Sequence, residues 1–244
     1  DLNHVFLSES GSVSVEIAMK MATQFFTNQG DRDKFLFLGF RHGYHGDTFA
    51  AMSVGDPEDG NSRSFAGIVP AQMIVNLPRS RSELADFEAF VAKNSTQLAA
   101  VILEPLVQAA GGMKFHSPMI LAGIAEIANR HGVLLILDEI ATGFGRTGTL
   151  FACEQAGIVP DVITLSKALT GGTSPLAATV ATDRVYEAFL SESESDALMH
   201  GPTFSGHPLG CAAAIASLSL FEMERQNNAD LTVEFYKVGM AFLF

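Results

Sequence analysis

The chain is 244 residues long, 48% hydrophobic and 17% charged, with 15 basic residues against 27 acidic ones and a net charge of −12. That composition is globular and sufficient for one sizeable α/β core. The acidic balance speaks against a surface that tracks nucleic-acid phosphates or binds anionic membranes, so any anion must be caught locally.

In chain order, the small polar residues Ser8 to Ser12 lead into a predicted helix over Ser12 to Asn28, with Val13, Ile17, Met21 and Phe25 in steps of four. Apolar, β-branched runs at Phe35 to Phe40, Ala99 to Leu103, Val133 to Leu137, Val162 to Leu165 and Ala177 to Ala181 read as buried strands. A second helix is predicted over Pro118 to His131, through Leu121, Ile124, Ala125 and Ala128. Strands alternating with helices imply parallel pairing and right-handed crossovers. Ser191 to Asp196 reads as exposed and flexible, and Gly206 to Arg225 as a long Ala-rich helix. Ala229 to Phe244 reads as an amphipathic helix with nothing after it to pack on, and the chain opens without Met, so a fragment is expected. The longest apolar runs fall far short of the ~18 residues that suggest a membrane span. Neither a leader pattern nor a metal or disulfide spacing at Cys153 and Cys211 is present, and a reducing cytoplasm fits.

Five segments carry candidate chemistry. Leu137-Asp138-Glu139-Ile140 ends a strand and runs into the Gly-rich Ala141 to Gly148. An acidic residue there is a helix cap or a Mg²⁺ ligand in many proteins, but the second reading needs a P-loop, and the chain has none. Lys167 follows the run Val162 to Leu165 and precedes the pair Gly171-Gly172. A lysine held in an apolar pocket is nucleophilic, whereas a lone lysine at a strand end is more often solvated or ion-paired. Ser8 to Glu16 reads either as a phosphate cradle at a helix N-terminus or as an ordinary N-cap with a capping box. Arg41 to Thr48 sets Tyr44 between glycines, where its ring can stack on a planar ligand; His42 and His45 lack a third metal ligand at convincing spacing, and no metal is expected. His200 to Pro208 is a constrained polar loop in which Thr203 can donate to a phosphate or simply form a turn.

Jointly, LDEIATGFGRTG, LSKALTGG, SGSVSVEIAMKMA, RHGYHGDTFAAMSVGDP, EPLVQAAGGM and HGPTFSGHPLGCAAA resemble the class III (subgroup II) aminotransferases of pyridoxal phosphate (PLP) fold type I, over essentially the whole chain. The resemblance implies an α/β large domain, with a mostly parallel sheet sandwiched by helices, over residues 1–228. It also implies a linking helix at 229–244 toward a small domain largely missing here. It implies that Lys167 joins PLP as a Schiff base, that Asp138 bonds the pyridine nitrogen, and that Gly11 and Ser12 hold the phosphate. Tyr44 then stacks on the ring and faces substrate, while Pro202 and Thr203 reach the phosphate of a partner subunit's cofactor in a homodimer. Glu104 and Gln108 match positions near substrate and the cofactor's phenolic oxygen; Asp47 and Gly201 match positions facing substrate. Arg146, beside the Gly-rich loop, reads either as a structural arginine, the commoner case, or as a substrate-binding one. Within the class, the motifs are similar to those of enzymes with S-adenosylmethionine as donor and 8-amino-7-oxononanoate as acceptor. Another ω-aminotransferase, acting on 4-aminobutyrate, ornithine or a diamine, is the nearest alternative, and a non-catalytic nucleotide-binding α/β module a distant one.

Overall fold

Strands whose residues are apolar at successive positions must be covered on both faces, since neighbouring side chains point to opposite sides of a sheet. In the computed structural model, which describes residues 1–58 and 60–227, β2 (Leu36–Phe40), β4 (Leu98–Leu103), β7 (Leu134–Asp138) and β8 (Val162–Leu165) are such strands. Ala100 and Ile102 of β4 and Leu134 and Ile136 of β7 pack on one side with Ile17, Ala18 and Phe25 of α1 (Gly11–Asn28). Val101 and Leu103, with Leu135 and Leu137, pack on the other with Phe87 and Val91 of α4 (Arg81–Asn94) and Ile120, Leu121 and Ile124 of α5 (Pro118–Arg130). The result is a sheet between two helical layers.

The sheet has seven strands in the order β1-β9-β8-β7-β4-β2-β3, with β1 at Leu2–Ser8, β3 at Met73–Val75 and β9 at Ala177–Thr182. Pairings from β3 through β8 are parallel. The expectation of parallel pairing fails at Ala177 to Ala181: β9 runs antiparallel to β8, and β1 antiparallel to β9. The connection from Ser166 to Leu176 holds only a 3₁₀ turn (Lys167–Thr170), too little for the helical crossover that a parallel pair requires. Two reversals restore direction, so β1 ends on the same edge of the sheet as β4, β7 and β8. The first helix therefore begins beside their carboxyl ends.

Short helices α2 (Phe49–Ser53), α3 (Gly60–Arg63) and α6 (Asp183–Glu187) and a two-stranded ribbon of β5 (Val107–Gln108) and β6 (Lys114–Phe115) complete the framework. The Ala-rich helix is α7, Pro208–Asn227; it starts two residues later than expected because proline is accommodated in a helix's first turn and His207 Nδ1 accepts the Gly210 N–H. Ser191 to Asp196 is exposed for the most part and contains a 3₁₀ turn at Glu194–Asp196. The helix expected over 229–244 lies outside the described residues. None of the described helices is long and apolar enough to cross a membrane.

One glycine records how closely the chain packs. Gly39, inside β2, has the Val54 carbonyl so near that a Cβ would stand 2.1 Å from that backbone oxygen. Gly39→Ala is expected to destabilise the protein by about 1–3 kcal/mol, as overpacked sites do. Urea unfolding with an unchanged midpoint would contradict this packing.

Candidate functional site

The carboxyl ends of an open parallel sheet are where ligands collect. A cavity of about 180 Å³ lies there, lined by Tyr44 and His45 after β2, Glu104 after β4, Asp138 at the end of β7, and Ser166 and Lys167 after β8. Gly11 and Ser12, opening α1, close one side, and Ala109, Ala110, Ile140 and Ala141 supply apolar wall.

Asp138 is 3% exposed. Its Oδ2 accepts from His45 Nδ1 at 2.7 Å, and its Oδ1 accepts the Ile140 N–H at 3.1 Å and the Thr164 hydroxyl at 3.3 Å. A buried carboxylate survives because donors replace the water it has lost. Burial disfavours the imidazolium of His45, but the bond and charge of Asp138 outweigh it and raise the His45 pKa. Its Nε2 is buried without a partner. Glu139, the next residue, does different work. Its carboxylate accepts from the Thr142 hydroxyl and from the Ala152 and Cys153 N–H groups, and so ties the Gly-rich segment to the turn at Ala152–Ala156 rather than facing the cavity.

Lys167 opens the 3₁₀ turn with φ of 45°, a left-handed conformation that costs a non-glycine residue energy and persists where its surroundings impose it. Ser166 is buried, with its hydroxyl donating to the Leu176 carbonyl, which fixes the turn from below. The lysine amine has no hydrogen bond or ion pair among the described residues.

At the head of α1, the Ser10 hydroxyl accepts the Val13 N–H and the Ser10 carbonyl accepts the Ser14 N–H, leaving the N–H groups of Gly11 and Ser12 for a ligand. No capping box forms: Glu16 reaches away to accept the Ala50 and Ala51 N–H groups of α2. Gly46, at φ of 123°, presses against Ser12, and a Cβ there would stand 2.2 Å from the Ser12 hydroxyl oxygen. Only glycine leaves the cradle intact at that position.

The cavity thus brings together Lys167, Asp138, Tyr44, Gly11, Ser12 and Glu104 from separate segments of the sequence. Asp47 sits at its margin, its N–H donating to the Ser12 hydroxyl; burial and the Asp47 charge together raise the Tyr44 pKa. Gln108 is turned away: its amide donates to the Arg41 carbonyl, and it lines a separate cleft with Arg41 and His116. Arg146, Gly201, Pro202 and Thr203 do not line the cavity. Sequence reading gave His45 no role beyond an unlikely metal ligand and overlooked Ile140; the first is seen only through its bond to Asp138, while the second directly follows the acidic pair.

Glu104 is buried, and its two carboxylate oxygens accept the Tyr44 and Ala109 N–H groups, clamping two walls of the cavity together. Burial pushes its pKa up to about 7, against the opposing pull of His45 and with the support of Asp138. Between the ordinary carboxylate range and that value the folded state holds a proton that the unfolded chain has released, so stability falls as pH rises through the window. Glu104→Gln removes this dependence. From about pH 5 to about pH 8, the variant's urea midpoint should improve relative to the parent's; parallel midpoints would contradict the assignment.

The family model described as Aminotransferase class-III matches residues 1–239. A Buchnera aphidicola adenosylmethionine-8-amino-7-oxononanoate aminotransferase is 45% identical over 228 residues, covering 91% of this chain and 53% of the relative. The Corynebacterium glutamicum protein of that name is 46% identical, covering 90% and 53%. The crystal structure of the Methanocaldococcus jannaschii protein of that name superposes with a TM-score of 0.83 at 40% identity, over 92% of this chain and 52% of that one. An amine transaminase from an uncultivated Pseudomonas species, solved in a PLP-bound form, gives 0.84 at 35%, over 91% and 53%. The chain spans about half the length of the curated relatives it matches. With the matched region running through every residue of the cavity, the chain belongs to the class-III aminotransferases.

Proposed function

We propose that this chain is the cofactor-binding part of a PLP-dependent transaminase that moves the amino group of S-adenosylmethionine to 8-amino-7-oxononanoate, giving 7,8-diaminononanoate for biotin synthesis. Residues 1–228 are the large domain in this proposal, and the protein works as a cytoplasmic homodimer. The observation that carries it is the single cavity in which an unpartnered lysine, a buried carboxylate and an open helix N-terminus meet. That donor set fits PLP: a site for its phosphate at Gly11 and Ser12, a partner for its ring nitrogen at Asp138, and an amine for its aldehyde at Lys167.

When bound, PLP supplies an electron-poor ring able to take up the electron pair left on a substrate carbon. The remaining work falls to the chain. Lys167 Nζ would hold the cofactor through its aldehyde and, at that nitrogen, would serve as the general base and acid that moves a proton. Asp138 would pair with the protonated ring nitrogen, and the His45 Nδ1–H holds its carboxylate in place. Tyr44 and Ile140 are apolar walls that restrict water. Gln108 and Arg146 have no step here.

The choice of substrates rests on the relatives at 45% and 46% identity that bear that enzyme's name, set against the amine transaminase at 35%. Full-length protein assayed with S-adenosylmethionine, glutamate, alanine and lysine as donors should turn over with S-adenosylmethionine. Rapid transfer from glutamate and none from S-adenosylmethionine would overturn the substrate assignment. Lys167→Ala is expected to lose visible absorbance from lysine-bound PLP and at least ~1000-fold in turnover; retained absorbance with full turnover would overturn the lysine's role.

A further inference from the structure

Three polar side chains of α1, four residues apart, face the same way. Each donates to the irregular segment between α6 and α7. Lys20 Nζ donates to the Met199 carbonyl at 3.2 Å and lies 3.1 Å from His200 Nδ1. Gln24 Nε2 donates to the carbonyls of Asp196 at 3.2 Å and Ala197 at 2.7 Å. Asn28 Nδ2 donates to those of Ala188 at 3.0 Å and Asp196 at 2.9 Å. The polar flank of an amphipathic helix ordinarily faces solvent; here it meets carbonyls that have no place in a helix or strand ladder.

Immediately after this ladder the chain stands free. Gly201, Thr203 and Phe204 are exposed, Phe204 at 68%, and then Ser205 fastens the chain again by donating to the Leu7 carbonyl at 2.7 Å. Leu7 is near the end of β1, just before the cradle at Gly11 and Ser12. The segment 201–204 is thus a finger pinned at both ends, flanked by the exposed apolar Met199 and Leu209, and it does not line its own cavity. In the homodimer proposed above, Thr203 of this finger reaches the other copy's site.

We propose that Lys20, Gln24 and Asn28 are positioning residues that aim this finger at the cofactor phosphate of the partner subunit, so that each α1 holds one phosphate at its head and steadies the loop serving the other site along its flank. This deepens the functional reading above and rests on its homodimer, in which Thr203 reaches across.

The role predicts an effect in trans. Gln24→Leu with Asn28→Leu should leave the dimer assembled but speed PLP release by about tenfold, a loss on the scale of one or two positioned hydrogen bonds. Should the double variant fold poorly, Lys20→Met carries the same test, with Lys20→Arg expected to keep the parent rate. The decisive sample is a heterodimer of one Lys167→Ala subunit with an intact ladder and one ladder-variant subunit with its lysine. Its single covalent site is served by the intact ladder and should release PLP at the parent rate. Release that stays fast in that heterodimer, or is unchanged in the variant homodimer, overturns the positioning role. If Thr203→Ala releases PLP no faster than the parent, the shared-site dimer on which it rests is itself wrong.

Discussion

Burying a carboxylate is among the more expensive things a fold can do, and Asp138 is held at 3% exposure at the end of a fully buried strand. Three donors make that tolerable: the His45 ring, the Ile140 N–H and the Thr164 hydroxyl. Each comes from a different piece of the fold, namely the loop after β2, the start of the Gly-rich segment, and the neighbouring strand β8. The sheet order therefore has to bring β2, β7 and β8 into one neighbourhood before the charge can be satisfied. With that met, a cation site is ready beside a lysine and opposite a phosphate cradle.

The antiparallel detour through β9 and β1 serves the same end. A single reversal would deliver the first helix to the opposite edge, whereas two return it to the edge where Asp138 and Lys167 emerge. The strained backbone at Lys167 lies in the short turn that makes the first reversal. Topology and chemistry are joined at that residue.

Much of this was legible in the sequence. Five of the sheet's strands and the two most strongly patterned helices, α1 and α5, follow from continuous apolar runs and steps of four, because burial on both faces leaves such runs. β1 was not, since Asn3 and His4 interrupt its apolar residues at an exposed edge; α4 was not, since Phe87 and Val91 are its only buried side chains. The motifs identified Asp138, Lys167, Tyr44, Gly11 and Ser12, which the fold gathers around one cavity. They did not reveal that Glu139 is an anchor rather than a second acid at the site, because adjacent residues on a strand end diverge and nothing in the letters says which faces the ligand. Where Gln108 bonds was hidden for a related reason: its ribbon turns its amide toward the Arg41 carbonyl. The bond between His45 and Asp138 spans 93 residues of sequence and becomes visible only in three dimensions.

The central claim is that this cavity holds PLP through Lys167. Borohydride reduction of the full-length protein as purified, followed by peptide mass mapping, tests it most directly. A phosphopyridoxyl group on Lys167 is the predicted result; a colourless protein with an unmodified Lys167 after incubation with PLP and reduction would contradict it.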